Sequence, residues 1–556
     1  MPESLNMNNK IDKAELNSSV KLFEQTSIFR SLLKVVFLAV VVSFVSGLYV
    51  FVDQVLMTKI LPINQQNFVE NTLTQLNWYE LVEKIKNGQV IDNFNLMSKF
   101  MTEKEAITSI IRVVNSSVSP ITLICTALSL LIGLGTAIPY SKALGSKDYQ
   151  KINDVWKNGF YNALVIGIAT SIIFIGLTFV IVPLQISDKA QSDIDINIKN
   201  FLEAKRNISI KYGINYGLII LAFNIFNVFL MLFVSLLNSE GKNTVPTIVV
   251  LIANFINIFL DFMLLYYSKL GMNGSAIATG ISYIMSIIIF YFYLFQKNKK
   301  NETFLVFKNL KLKGFKINCS IIFFILAVGS SSFFRNASTA LFSLTQQSLY
   351  SSITNEITLK DSNYYVDILG AITPIFNLFF SAIIGIIRGA RTVVSYNHGM
   401  NNNKNVLKAF WITNIMSCCY GLLFYLLVCP ILLNIPGLNG GFLWFFEIGV
   451  DSSLYKDASL LLHINMSQLI IFSLSISGML YFQSTGKPIN ALFTSLMNGL
   501  IIGIPVLLIN SQIAKQTQNI NIYIYSPIII SFLSGIIVFS YTIWYIYFKK
   551  NKKMSK

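Results

Sequence analysis

The chain has 556 residues, of which 54% are hydrophobic and 12% charged, with a formal net charge of +17. That is too much apolar sequence for one water-soluble core, and the recurring uncharged runs of about 20 residues each suffice to cross about 30 Å of hydrocarbon as a helix. The runs are continuously apolar, which excludes a transmembrane β-barrel, and five cysteines without a Cys-x-x-Cys suggest neither a disulfide framework nor a zinc site.

The N-terminal tail, residues 1–30, is polar and mixed in charge, with no apolar core of a cleavable signal peptide. Twelve apolar segments follow, at about 31–57, 117–141, 159–185, 212–237, 244–267, 273–296, 318–346, 368–387, 409–434, 458–482, 488–510 and 525–548. The pattern predicts an all-α membrane protein of twelve transmembrane helices. An even number of spans puts both termini on one side. Lys and Arg outnumber Asp and Glu in the two tails and in every second loop, which assigns both termini to the cytoplasm and the protein to the cell membrane. The positive charge is then topology: it requires no nucleic acid, and its expected neighbours are anionic membrane lipids. Between the first two spans, the external segment 58–116 is long and polar, with Trp78 and Tyr79 at its centre, and is expected to hold short amphipathic structure. A basic cytoplasmic linker, 297–317, divides a half at 31–296 from a half at 318–548, and a basic tail, 549–556, closes the chain.

The halves look duplicated. Gly133–Lys157 follows the second span and Gly385–Phe410 the eighth; setting Gly145 on Gly399 superposes Gly135 on Gly389 and Ser141 on Ser395. Asn238–Lys242 after the fourth span matches Gln483–Lys487 after the tenth. Both halves begin in the cytoplasm, so the expected architecture is two six-helix bundles related by a parallel internal repeat, as in transporters that rock two bundles about a central site. Gly133, Gly135, Gly385 and Gly389 are expected to permit close helix approach.

Asp53 and Asp261 are the acidic residues that these boundaries place inside the bilayer. A carboxylate there costs about 2.5–3.5 kcal/mol even on the lenient insertion scale and is by default a functional group. Asn257 lies one helical turn before Asp261 on the same face, and Thr279 stands in the returning span. Protonated, such carboxyls store a proton; ionised, they offer hard oxygen ligands that amide and hydroxyl oxygens could complete for Na+. Asn224 and Asn227 share a face of the fourth span, and Arg335 is the basic residue near the middle of a span, open to an aspartate or to an anionic substrate group.

The Gly133–Lys157 stretch resembles the loop after the second helix of multidrug and toxic compound extrusion (MATE) transporters, with Lys142 at a position that is Arg in the family. Asn238–Lys242, Ile252–Asp261 with Gly274–Thr279, Ser395–Gly399 and Tyr481–Lys487 extend the likeness across about residues 31–546. The resemblance implies a V-shaped pair of bundles and antiport of organic compounds against Na+ or H+. In the branch of DNA-damage-inducible members it implies a coupling site of Tyr49 and Asp53 on the first helix, Asn257 and Asp261 on the fifth and Thr279 on the sixth. Na+, if it is the ion, would be held by Asp53, Asn257 and Asp261. Two features depart from the family: the first span has Leu38 where members usually have proline, and the first external loop is several-fold longer.

The expected function is therefore a monomeric, cofactor-free efflux antiporter for amphipathic, often cationic, small organic molecules. The alternative is a lipid-linked precursor flippase of the same superfamily, which needs several cationic residues in its cavity. Neither a metal-ligand cluster nor a nucleophile–base pair points to an enzyme. The Gly-Lys pairs at 241–242 and 486–487 lack the spacing of a phosphate loop.

Overall fold

The computed structural model describes residues 27–90, 102–145, 148–186, 195–240, 242, 244–300, 302–310, 319–358, 360–400, 402–435, 437 and 439–549. The expectations for most of both tails, for the linker at 311–318, for the first loop at 91–101 and for Gly241 lie outside these residues.

A chain in hydrocarbon must satisfy its own backbone, and the described residues do so as helices. The twelve spans are α1 (Ile28–Lys59), α2 (Glu103–Gly145), α3 (Tyr149–Gln185), α4 (Ile196–Ala222 and Asn224–Ser239), α5 (Thr244–Tyr267) and α6 (Asn273–Lys299), then α7 (Cys319–Ile357), α8 (Tyr364–Gly399), α9 (Asn403–Leu426), α10 (Tyr455–Ser484), α11 (Ile489–Thr517) and α12 (Asn521–Tyr547). Two of them bend: α4 by 44° at Phe223, and α7 by 50° between Ala327 and Ser332. Local chemistry sets several starts. Ser27, Asp148 and Asn402 accept the backbone N–H three residues on, at 3.4, 3.0 and 3.1 Å, satisfying donors the first turn leaves open. Pro430 cannot donate, and α9 ends there in a π-helical turn, Leu427–Leu432.

The two six-helix bundles meet along two seams, α1 against α8 and α2 against α7. Small residues let these backbones approach. A Cβ at Gly389 would lie 2.7 Å from the Val36 Cα, and one at Gly135 would lie 2.3 Å from the Ile325 carbonyl oxygen. The expected role of these glycines is borne out by the contact geometry.

The first loop is built as expected from short amphipathic helices, Leu61–Asn64, Gln66–Gln75 and Trp78–Lys86, which bury Leu73, Trp78, Leu81 and Ile85. Asn77 makes the sharp turn between two of them at φ 52°, a conformation asparagine tolerates. Gln65 latches the loop to the end of α5: its Nε2 donates to Leu265 O at 3.0 Å and its Oε1 accepts from Gly271 N at 2.7 Å. The second span is longer than its sequence segment. It starts at Glu103, because Ala106, Ile107, Ile110, Ile111 and Val114 are apolar at helical spacing and buried against neighbouring helices.

We call the end of the molecule that carries this loop the loop end, and the opposite one, where Lys297–Asn309 runs, the linker end. At the loop end, ion pairs bridge the bundles. Arg112 Nε donates to Asp367 Oδ1 at 2.5 Å, Ser109 Oγ donates to Asp367 Oδ2 at 2.6 Å, and Arg112 Nη1 donates to Phe446 O at 2.7 Å. Lys205 pairs with Asp361 at 2.8 Å, and Lys59 and Lys104 share Glu447, the latter at 3.0 Å. Arg112 and Asp367 have side chains 3% and 0% exposed, so charges inside the helical body are not confined to Asp53, Asp261 and Arg335. The segment limits at 117 and 368 had left both outside.

Candidate functional site

Three helices of the first bundle each present polar groups one turn apart on one face: Tyr49 and Asp53 on α1, Asn257 and Asp261 on α5, and Ser275, Thr279 and Tyr283 on α6. Packing brings these faces together near the loop end. Asp261 is 0% exposed, Asn257 1% and Asp53 6%, while Thr279 and Tyr49 are half-buried. The Ser275 hydroxyl donates to Asp53 Oδ1. The Asn257 amide, in the orientation that satisfies its neighbours, donates to Asp261 Oδ2 at 3.1 Å and accepts from the Thr279 hydroxyl and N–H at 3.2 Å each. The two carboxyls interact directly with each other, and Tyr49, Tyr216 and Tyr283 surround them. Tyr216 stands beside Ser275, and Tyr283 beside Tyr49.

All five sequence-predicted coupling residues are thus in one cluster. Ser275, Tyr216 and Tyr283 were not singled out. Ser275 and Tyr283 were legible as the turns before and after Thr279; Tyr216, alone on α4, had no such signal.

Two carboxylates in contact in a low-dielectric site repel strongly unless a proton or a cation lies between them. Asp261 Oδ1 is buried with no hydrogen-bond partner. The Asp53 carboxyl and the Ser275 hydroxyl beside it supply oxygens of the type that suits a hard cation or a proton. Among the described residues no group of three His, Cys, Asp or Glu side chains forms a transition-metal site.

The cluster borders a cavity of about 470 Å³ between the bundles. Asp53, Tyr49 and Thr279 line it, while Asn257 and Asp261 lie one layer behind. Asn224 and Asn227 also line it, each held by a neighbouring helix: Asn224 Nδ2 donates to Thr170 Oγ1 at 3.1 Å and Asn227 Nδ2 to Ser129 Oγ at 3.3 Å. Much of the remaining wall is neutral and polar. Its Gln54 Oε1, Asn115 Oδ1, Ser116 Oγ and Gln347 Oε1 are buried without partners, from both bundles. The charged lining residues are Asp53 and Arg388. Arg335 is elsewhere than a pairing with the aspartates would place it: it is half-buried on α7, donates to Met479 Sδ at 3.4 Å, and lies near Arg388 and Arg391.

Residues 114–263 match the MatE family model. The uncharacterized protein MG447 homolog of Mycoplasmoides gallisepticum is 30% identical over 540 residues, 94% of this chain and 91% of that protein. The multidrug export protein MepA of Staphylococcus aureus is 24% identical over 405 residues, covering 72% of this chain and 78% of MepA. Among solved structures, an inward-facing multidrug resistance MATE transporter of the MOP superfamily superposes with a TM-score of 0.67 at 16% identity, over 94% of this chain and all of that one. Twelve spans in two bundles, the family match and a near-full-length relative agree: the chain is a multi-pass membrane protein of the MATE family of transporters.

Proposed function

We propose that the protein is a secondary antiporter that exports amphipathic organic compounds, cationic ones included, in exchange for Na+ or H+. The observation that carries this reading is the contact between the cavity and the paired carboxyls. Asp53 and Thr279 belong to the cavity wall and to the Asp261–Asn257 cluster at once, so an ion in the cluster and a molecule in the cavity share residues. An ion that binds one arrangement of these helices better than another shifts the population toward it, by no more than that difference in affinity. Asp53 and Asp261 hold the ion or proton, Asn257, Thr279 and Ser275 orient them, and Tyr49 covers the cluster on its cavity side.

Positive-inside counting places the linker end in the cytoplasm and the loop end outside. The bundles clasped at the loop end then form the state closed to the exterior, and export requires the Arg112–Asp367, Lys205–Asp361 and Glu447 pairs to part.

The test is efflux of a fluorescent lipophilic cation from proteoliposomes, driven in turn by an imposed Na+ and an imposed H+ gradient. Wild type is expected to respond to one of them and Asp261→Asn to neither. Equal gradient-driven rates in both proteins would overturn the assignment of Asp261 and the coupling mechanism with it.

A further inference from the structure

The second bundle holds a charge cluster that ion coupling does not use. On α8, Thr373, Asn377, Phe380, Ile384 and Arg388 form the stripe that lines the cavity, and Arg391 continues it one turn toward the linker end. Arg388 lies deep in the protein yet is exposed, because its side chain faces the cavity. The Arg391 Nε is buried and has no partner. Across from them, Arg335 on α7 donates to Met479 Sδ at 3.4 Å, and it and Arg391 both lie within electrostatic range of Arg388. No carboxylate pairs with any of them among the described residues.

Three arginines within spanning helices, at mutual range and without a counter-ion, are costly to keep. Three other basic groups buried or half-buried in the helical body have carboxylate partners: Arg112 has Asp367, Lys205 has Asp361 and Lys59 has Glu447. The arginines without one lie toward the linker end of the cavity. A guanidinium presents forked N–H donors that match the oxygens of a phosphate, and several of them around one cleft recognise a multiply charged oxyanion.

We infer that Arg335, Arg388 and Arg391 form an oxyanion subsite at the linker end of the central cavity, and that it takes the phosphoryl group of the transported molecule. The inference rests on the transporter reading and narrows its cargo: the molecule has a phosphoryl head toward the arginines and a body along the neutral polar and apolar wall between Arg388 and Asp53. Two sources share this chemistry, the headgroup of a lipid and a water-soluble phosphate.

The experiment is thermal unfolding of the full-length protein in detergent, titrated with dihexanoyl phosphatidic acid, with inorganic pyrophosphate and, as a neutral control, with dihexanoylglycerol. Phosphatidic acid is expected to raise the unfolding midpoint saturably where dihexanoylglycerol does not. Loss of one charged hydrogen-bonding partner should raise the half-saturating concentration about tenfold or more in Arg388→Gln and in Arg391→Gln. Arg388→Lys, which keeps the charge and is the safer variant for folding, should fall between wild type and Arg388→Gln. Pyrophosphate binding with the same arginine dependence would identify the phosphoryl group as sufficient and admit soluble cargo; binding of phosphatidic acid alone would assign an amphipathic cargo. Protection that is indifferent to all the arginine variants, or no protection by either phosphate, overturns the subsite. Because the readout is binding, the two proposals fail separately. Arginine-dependent binding without ion-driven efflux sinks the antiport reading, and intact efflux without arginine-dependent binding sinks this one.

Discussion

At the scale of single residues, the paired carboxyls depend on neighbours that neither carry charge nor line the main path. Ser275 is fully buried, and its hydroxyl donates to Asp53, so Ser275→Ala leaves a buried carboxylate oxygen without its donor. A hydrogen bond to a charged group contributes about 1.5–3 kcal/mol, roughly a tenfold to hundredfold effect on an equilibrium. The expected result is a half-saturating ion concentration for efflux raised at least about tenfold, with surface expression unchanged. An unchanged half-saturation would remove Ser275 from the coupling cluster. Asn257→Ala should act in the same direction, because the amide bridges Asp261 and Thr279.

At the scale of helices, the seams between the bundles are held in two ways. Along α1–α8 and α2–α7 it is backbone proximity: at Gly389 the space for a side chain is already occupied by the Val36 Cα. Gly389→Val therefore forces the seam apart or strains it, and a loss of stability of about 2 kcal/mol is expected from overpacking, read as a lowered unfolding midpoint. At the loop end it is charge. Asp367→Asn leaves the buried Arg112 without a counter-ion, and removing one partner of a buried pair costs about 3–5 kcal/mol. That cost falls on the clasped arrangement, so the variant should also shift the population toward the state open at the loop end. A cysteine at Ser109, against Asp367, should then react faster with a water-soluble maleimide in the Asp367→Asn background than in wild type. Equal rates would mean that the pair stabilises both states alike. The first loop belongs to this clasp: Lys59 at the end of α1 and Lys104 at the start of α2, which flank it, pair with Glu447, and the loop is latched to α5 through Gln65. Its unusual length is thus spent on covering and fastening one end.

At the scale of the molecule, the charges are arranged along the cavity. Carboxyls of the first bundle stand toward the loop end and arginines of the second toward the linker end. The orientation of this axis in the cell can be read from labelling. The exposed native Cys319 lies at the linker end, and Asn77 lies in the tight turn of the loop. A membrane-impermeant maleimide is expected to label Asn77→Cys in intact cells and Cys319 only after permeabilisation; the reverse pattern would invert the assigned topology.

The amino-acid sequence by itself determined the spans. The pattern that decides a membrane helix is local: about 20 apolar residues must satisfy their own backbone wherever they insert, so all twelve were legible one at a time. It also showed the turn-spaced pairs Tyr49–Asp53 and Asn257–Asp261, because a helix face is fixed by spacing alone. It missed what lies between helices. Ser275 meets Asp53 across 222 positions and Arg112 meets Asp367 across 255, and no periodicity encodes such a meeting. Arg335 falls in mid-span, whereas Arg388 and Arg391 fall just past the segment limit at 387, and no pattern in the sequence joins the three. Only the packing of helices from distant parts of the chain makes them neighbours, because burial and electrostatics depend on distances that tertiary structure alone sets.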